Sequence, residues 1–212
     1  MTLVTDLDLL RLEPRLFIDA ADSGLILLAR NDAVASGGTV TSASSDFIDL
    51  GLGVTYVVVI DGEPVEVLAV TSATTLDVSR RRLDDESPVL PPADGTGLAL
   101  TVITFASLLM LHESWALGAL GVDPADPVQP VEVAQVLNLD DFRRLIALRT
   151  IGQALSRSSA LNPASVSLAA LAAHYEAPIA EASRRAAARI DLDGDGRADL
   201  VRRLDASALL RT

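Results

Sequence analysis

Four aspartates lie close together near the end of the chain, in the stretch RIDLDGDGRADLVRRL (189–204). Asp191, Asp193, Asp195 and Asp199 occupy positions 1, 3, 5 and 9 of a calcium-loop pattern. Alternate residues of a curled loop point the same way, so these carboxylates can converge on one hard cation. Without a cation, negative charges this close together repel one another. The spacing therefore predicts a bound Ca2+ with a structural role.

Three further residues define how far this pattern extends. Gly196 stands at position 6, where the loop must turn sharply, and the carbonyl of Arg197 would supply the ligand at position 7. Position 12 is Arg202, where an EF-hand has a bidentate Glu. Over about nine residues the spacing resembles the DxDGDGxxD loops of dockerin-like and integrin-repeat sites. The alternative is a metal-free Asp/Gly turn that joins two helices, with Asp199 capping the second.

Patterns typical of enzymes are missing from the sequence. There is no Cys, which excludes disulfides, thiolate metal sites and a Cys nucleophile. His112 and His174 are far apart, no HExxH or GK[ST] motif occurs, and no GxSxG elbow is present. His112 lies on the apolar side of a predicted helix and is expected to be a core or interface residue. We expect a protein that is not an enzyme.

The charge balance disfavours binding to nucleic acid. The 212 residues include 29 acidic and 17 basic side chains, for a net charge of −12. Such a chain repels phosphate backbones. One basic cluster, residues 80–82 (RRR), is typical of a solvated strand end and could pair with the acids of 84–86. Contact with DNA or with an acidic patch of a partner is the alternative.

The residue composition and the pattern of apolar residues change along the chain, and together they predict an α+β fold. We expect an N-terminal helical segment (1–24), a small β module (25–83), a linker (84–100) and an α-helical module (101–212). The linker contains three prolines and two glycines, which are typical of loops. The architecture predicted is a helical bundle module with an inserted or N-terminal small antiparallel β barrel or sandwich.

Local signals support these ranges. The β module is rich in Val, Thr, Ile and Gly, and Asp61-Gly62 suits a tight hairpin turn. A helix predicted over 104–120 is apolar well beyond one face, as in a helix that is central in its fold or buried against a neighbouring subunit. A helix predicted from Asn138 has an apolar face of six residues, namely Phe142, Leu145, Ile146, Leu148, Ile151 and Leu155. Further helices are predicted over 164–189, with a kink or break near Pro178, and over about 200–210.

The N-terminal residues carry early acids and no basic segment, so they do not resemble a signal peptide. Apolar stretches are interrupted well before 18 residues, so a membrane span is not expected. The sequence predicts a soluble protein that is either cytoplasmic or assembled in the cytoplasm.

The β module contains the segment GGTVTSASSDFIDLGLGVTYVVVIDGEPVEVLAVTSATTLDVS (37–79), in which a Thr-rich strand is followed by two strands joined by a tight turn. This segment resembles parts of tailed-bacteriophage head–tail connector and neck proteins. The helical half, with TFASLLMLHESWAL and IDLDGDGRADLVRRL, is similar to adaptor or head-completion proteins with a β insertion. One departure is GLGVTYVVV, which lacks a Gly-Asp pair before the second strand.

The resemblance implies a structural virion protein. Its copies would form a homo-oligomeric ring between the portal protein and a downstream neck or tail protein, and DNA would pass through without specific binding. Its location would be the virion, and no membrane would be involved. The alternative is another phage neck or tail-completion protein, or a calcium-dependent interaction module.

Overall fold

A computed structural model describes residues 2–121 and 132–204, and within them the chain has the predicted α+β fold. The helices are α1 (Asp6–Leu12), α2 (Leu16–Asp19), α3 (Ala106–Ala119), α4 (Leu139–Leu161) and α5 (Val166–Arg185). The strands are β1 (Leu25–Ser36), β2 (Thr39–Thr41), β3 (Val57–Ile60), β4 (Glu63–Ser72), β5 (Thr75–Arg80), β6 (Gly95–Thr104), β7 (Ala187–Ile190) and β8 (Leu200–Arg203).

The chain divides into two compact units, which we describe separately. The barrel unit comprises Thr5–Ala106 and Ala154–Ala169. The described residues of the helical unit lie within Met1–Val4, Ser107–Gln153 and Ala170–Thr212. The units therefore interleave along the chain, whereas the sequence predicted consecutive segments.

The first six strands form a closed antiparallel β barrel, the first of the two forms predicted for the β module. Their order around the barrel is β1-β2-β5-β4-β3-β6, and β1 pairs with both β2 and β6. Register shifts interrupt the long β1–β6 pairing, and such bulges bend a strand enough to close a sheet. The Asp61-Gly62 turn joins β3 to β4, with φ of 48° and 84° at its two residues, as a primed hairpin turn requires.

Strand β6 corrects the predicted boundary of the β module. The stretch 84–100 was predicted to be a linker, but β6 begins within it at Gly95 and pairs with β1 and β3. Gly95, Thr96 and Gly97 favour a loop by composition. Pairing overrides this local preference because β1 and β3 would otherwise each have an open edge in the barrel.

The predicted apolar face of α4 is confirmed. All six of its residues are buried, namely Phe142, Leu145, Ile146, Leu148, Ile151 and Leu155. Helix α5 continues through Pro178, so the predicted break does not occur. Close packing beside the proline helps to hold the helix, since a Cβ atom at Gly152 of α4 would lie 2.8 Å from the Ile179 side chain of α5.

Helix α3 lies within the predicted range but buries only part of its apolar surface. Leu108, Leu109 and His112 are buried, whereas Met110 and Leu111 are exposed. The helix is therefore not central in its own fold. Among the described residues, no helix is both long enough and apolar enough to cross a membrane.

The end of α4 belongs to the barrel unit because polar side chains bind it there. The Asp22 carboxylate accepts hydrogen bonds from the Ser158 hydroxyl and, at 3.0 Å, from the Asn162 amide. The Ser23 hydroxyl donates to the carbonyl of Ala154 at 2.9 Å. These bonds join residues more than 130 positions apart in sequence.

The arginine cluster 80–82 is engaged within the barrel unit. The Arg82 guanidinium contacts the buried Glu66 carboxylate at 2.7 Å. Arg80 pairs with Glu63 at 2.8 Å, and Arg81 donates to the carbonyl of Arg11. The predicted pairing with residues 84–86 is present in part, since Arg82 lies 3.9 Å from the Asp85 carboxylate.

Replacing Glu66 with Gln should destabilise the protein by about 3 kcal/mol, because it leaves the Arg82 guanidinium without its buried counter-charge. Glu63→Gln on the same strand is the matched control. It removes a pair that is about half exposed, so the free energy of unfolding should change by less than about 1 kcal/mol. Chemical denaturation measures both values. Equal losses in the two variants would contradict the structural role of the buried pair.

The Asp6 carboxylate is buried at the junction of β6 and α3. It accepts a hydrogen bond from the backbone amide of Phe105 at 2.8 Å and another from the Thr104 side chain. Burial outweighs these bonds and raises the pKa of Asp6 from 3.8 to about 6. The folded state therefore holds this proton more tightly than the unfolded state does.

This raised pKa makes stability depend on pH in a defined direction. The contribution of Asp6 is fully present below about pH 4 and is lost as the pH rises through 6, a decrease of roughly 3 kcal/mol. Asp6→Asn cannot titrate, so its free energy of unfolding should lack this decrease. Denaturation at a series of pH values tests this, with the exposed Asp140→Asn as control. An unchanged pH profile in Asp6→Asn would show that Asp6 titrates normally.

Candidate metal centre

The acidic loop closes a β hairpin in the helical unit. Strands β7 and β8 pair in antiparallel register, with Ile190 opposite Leu200, and residues 191–199 connect them. The sequence predicted helices on both sides of the loop. The helix before the loop is present as α5, but it ends at Arg185 and is followed by β7. The prediction of a helix from residue 200 is wrong for the described residues, because 200–203 form β8. Residues 205–210 of the predicted last helix lie outside the described residues.

Burial explains why a strand replaces a helix here. Side chains alternate along β7, where Ala188 and Ile190 are buried and Arg189 is exposed. Ala-rich composition favours a helix, but the segment also pairs with a second stretch of chain. The amide of Leu137 donates to the carbonyl of Arg189 at 2.8 Å, and the amide of Asp191 donates to Gln135 at 2.9 Å. These contacts override the local helical preference.

Three of the predicted ligands come together and could hold a metal ion. Asp191, Asp193 and Asp195 each offer a carboxylate oxygen, and these oxygens all lie within 4.8 Å of one another. Asp191 is buried, and the other two are exposed. Carboxylate oxygens are the ligands that hard divalent cations prefer.

Backbone amides of the loop fix these carboxylates in place. Asp191 accepts hydrogen bonds from the amides of Gly194 at 2.7 Å and Gly196 at 2.8 Å. Asp193 accepts from the amide of Asp195 at 3.1 Å, and Asp195 accepts from that of Arg197 at 2.7 Å. Each carboxylate therefore has a defined position in the loop.

The two glycines make this curl possible. Both Gly194 and Gly196 have φ of 81°, a region that residues with a Cβ rarely adopt. Sharp turning at Gly196 is the behaviour predicted for position 6 of the loop. Its amide also lowers the pKa of Asp191, which keeps that carboxylate ionised as metal binding requires.

Asp199 closes the hairpin. Its carboxylate accepts a hydrogen bond from the amide of Leu192 at 2.8 Å, and its own amide donates to the carbonyl of Ile190 at 2.9 Å. The cluster of three carboxylates does not include it. The ligand roles of Asp199 and of the Arg197 carbonyl stay predictions.

At position 12 of the pattern, the Arg202 side chain has a structural contact. It lies on β8, and its guanidinium donates to the carbonyl of Leu120 at 2.6 Å.

Two features of this site were not evident from the sequence. They are the hairpin and the polar contacts of Asn138 that support it. Asn138 accepts from the amide of Arg189 and donates to the carbonyl of Ala187, both at 2.9 Å. Its only signal in the sequence was that of a helix cap.

Comparison of the chain with protein-family models, curated proteins and solved structures finds no significant match.

Proposed function

We propose that this chain is a structural virion protein of a tailed bacteriophage, a head–tail connector of the adaptor type. Its copies form a ring between the portal protein and the tail, and DNA passes through that ring. The sequence resemblance of the β module suggests this function. The α+β fold with a small closed barrel is compatible with it.

The observation that carries the proposal is the apolar exposed surface of α3. Met110 and Leu111 are 63% and 53% exposed although the helix belongs to a folded unit. Exposed apolar patches of this kind mark interaction surfaces. A ring component needs such surfaces more than it needs a reactive centre, and we propose that the chain is not an enzyme.

The net charge supports the same function. At −12, the chain does not attract the phosphate backbone, and a conduit with this charge would let DNA slide without adhering. The arginines of 80–82 form ion pairs or hydrogen bonds within the barrel unit. Fewer of their N–H donors and less of their positive charge therefore remain for contact with a nucleic acid.

The test of this proposal is assembly on a portal. Purified chain mixed with portal particles of its phage should co-sediment with them and should appear as an added ring in electron micrographs. An unrelated globular protein of similar size and negative charge controls for nonspecific adhesion. A chain that never joins portal particles would overturn the connector proposal.

A second candidate, a calcium-dependent interaction module, is favoured by the carboxylate cluster. We propose that Asp191, Asp193 and Asp195 bind Ca2+ and that the ion has a structural role, stabilising the β7–β8 hairpin. Such a cation would neutralise three carboxylates that otherwise repel one another across less than 4.8 Å. This site is also compatible with the connector function, since a structural ion could stabilise the hairpin whichever of the two functions the chain has.

Calcium should raise the melting temperature of the chain. At a free concentration about 100-fold above the Kd, binding adds roughly 2.7 kcal/mol to stability, which corresponds to about 5 °C or more. Asp193→Ala should lose this rise, because it removes a ligand oxygen, whereas an Asn at this position of the loop could still bind calcium through its amide oxygen. The exposed Asp140→Ala controls for the loss of one carboxylate. If Asp193→Ala responds to calcium as the native chain does, the proposed site is wrong.

A further inference from the structure

One face of α3 is exposed, apolar and uncharged. From Ser107 onward, the exposed residues of α3 recur at helical spacing. They are Ser107, Met110, Leu111, Ser114, Trp115 and Gly118. None of these side chains is ionisable. The opposite face, with Leu109 and Ala116, is buried in the helical unit. The exposed face, which we call the α3 face, therefore has an apolar centre with small residues at both ends.

An arginine of α4 borders this face. The guanidinium of Arg149 lies 3.7 Å from the centre of the Trp115 ring. Desolvation lowers the pKa of Arg149. Within residues 2–121 and 132–204, no carboxylate pairs with this guanidinium, so its charge is available to a partner. Trp, Met and Arg together are the residue types enriched at protein–protein interfaces.

The occupant of the α3 face must be complementary to it, with apolar side chains beside a carboxylate. The loop of the barrel unit that leads into β3 carries exposed side chains of both kinds. Ile48 and Val54 are 61% and 56% exposed there, and Asp49 lies next to Ile48. In the described part of the chain, the Asp49 carboxylate forms no ion pair. We call Ile48, Asp49 and Val54 the barrel-loop patch.

We propose that the α3 face of one copy of this chain binds the barrel-loop patch of a second copy. Met110, Leu111 and Trp115 would pack against Ile48 and Val54, and Arg149 would pair with Asp49. Charge favours the α3 face as a contact between copies, because two chains of net charge −12 repel one another wherever carboxylates meet. The α3 face brings a cation and no carboxylate to the contact.

In the proposed arrangement each copy binds different neighbours through its two surfaces, which makes the contact heterologous. Each copy would have one surface of each kind free after binding its first neighbour. Contacts of this type close into rings or extend into filaments, whereas a closed dimer in which two copies exchange both surfaces would contradict this arrangement. The inference rests on the proposed function in one respect, the expectation that copies of the chain assemble with one another.

The test uses two variants of the full chain that each block one surface. Leu111→Glu places a charge on the α3 face, and Ile48→Glu places one on the barrel-loop patch. Both positions are exposed, so the native fold should persist, which circular dichroism verifies. Val166→Glu is the matched control, since Val166 is 80% exposed and lies on neither surface.

Sedimentation velocity over a concentration series measures the outcome. The native chain and Val166→Glu should show a mass that rises beyond a dimer. Each blocked variant alone should associate more weakly by roughly tenfold or more. An equimolar mixture of the two should form a 1:1 dimer and nothing larger, because one intact surface remains on each partner.

Charge reversal provides an independent check. Arg149→Glu or Asp49→Arg alone should weaken association, and the two substitutions combined in one chain should restore it. A change that merely damaged the fold would not be rescued in this way. Unaltered association of Leu111→Glu, absence of the 1:1 dimer, or a native chain that stays monomeric at every concentration would each overturn the inference.

The portal assay separates this inference from the proposed function. If the native chain and Leu111→Glu both form complete rings on portal particles, the connector function stands and the α3 face is not the contact. If the native chain associates through these surfaces but never joins a portal, the contact stands and the connector function is wrong.

Discussion

Closure of the barrel by β6 is the constraint on which the barrel unit depends. This strand pairs with β1 on one side and β3 on the other, so it leaves neither strand with an open edge there. Open edges invite pairing with other chains. The end of β6 also determines where α3 starts, because Thr104 is the last residue of the strand and Ala106 is the first of the helix.

Carboxylates are the second organising element of this acidic chain. Asp6 and Glu66 are buried. The Asp6 carboxylate accepts a hydrogen bond from the amide of Phe105, and the Glu66 carboxylate pairs with the guanidinium of Arg82. Asp22 and Asp191 receive hydrogen bonds from distant or looped segments. These four carboxylates thus hold together segments of the chain or fix a loop.

The sequence was sufficient to predict the fold class, the hairpin at Asp61-Gly62 and the buried face of α4. These features depend on local periodicity and on turn chemistry, which are written into neighbouring residues. It was not sufficient for β6, which pairs with β1 and β3 far away in sequence, or for β7 and β8, which pair with each other across the acidic loop. Gly95–Gly97 have the composition of a loop, and Ala187–Ala188 have that of a helix. In both segments, pairing with another strand overrides the local preference.

The candidate site shows the same division. The spacing in the sequence was sufficient to predict that the carboxylates of Asp191, Asp193 and Asp195 lie close together, because alternate residues of a short loop lie on the same side of it. The burial of Glu66 had only a weak signal in the sequence, an acid within the valine-rich strand EPVEVLAV. Its partner Arg82 could not be identified without the structure of the barrel.

The amides that hold Asp191, Asp193 and Asp195 have a further consequence. The carboxylate oxygens are already positioned by the hairpin itself, so a cation that bound there would require little rearrangement of the loop.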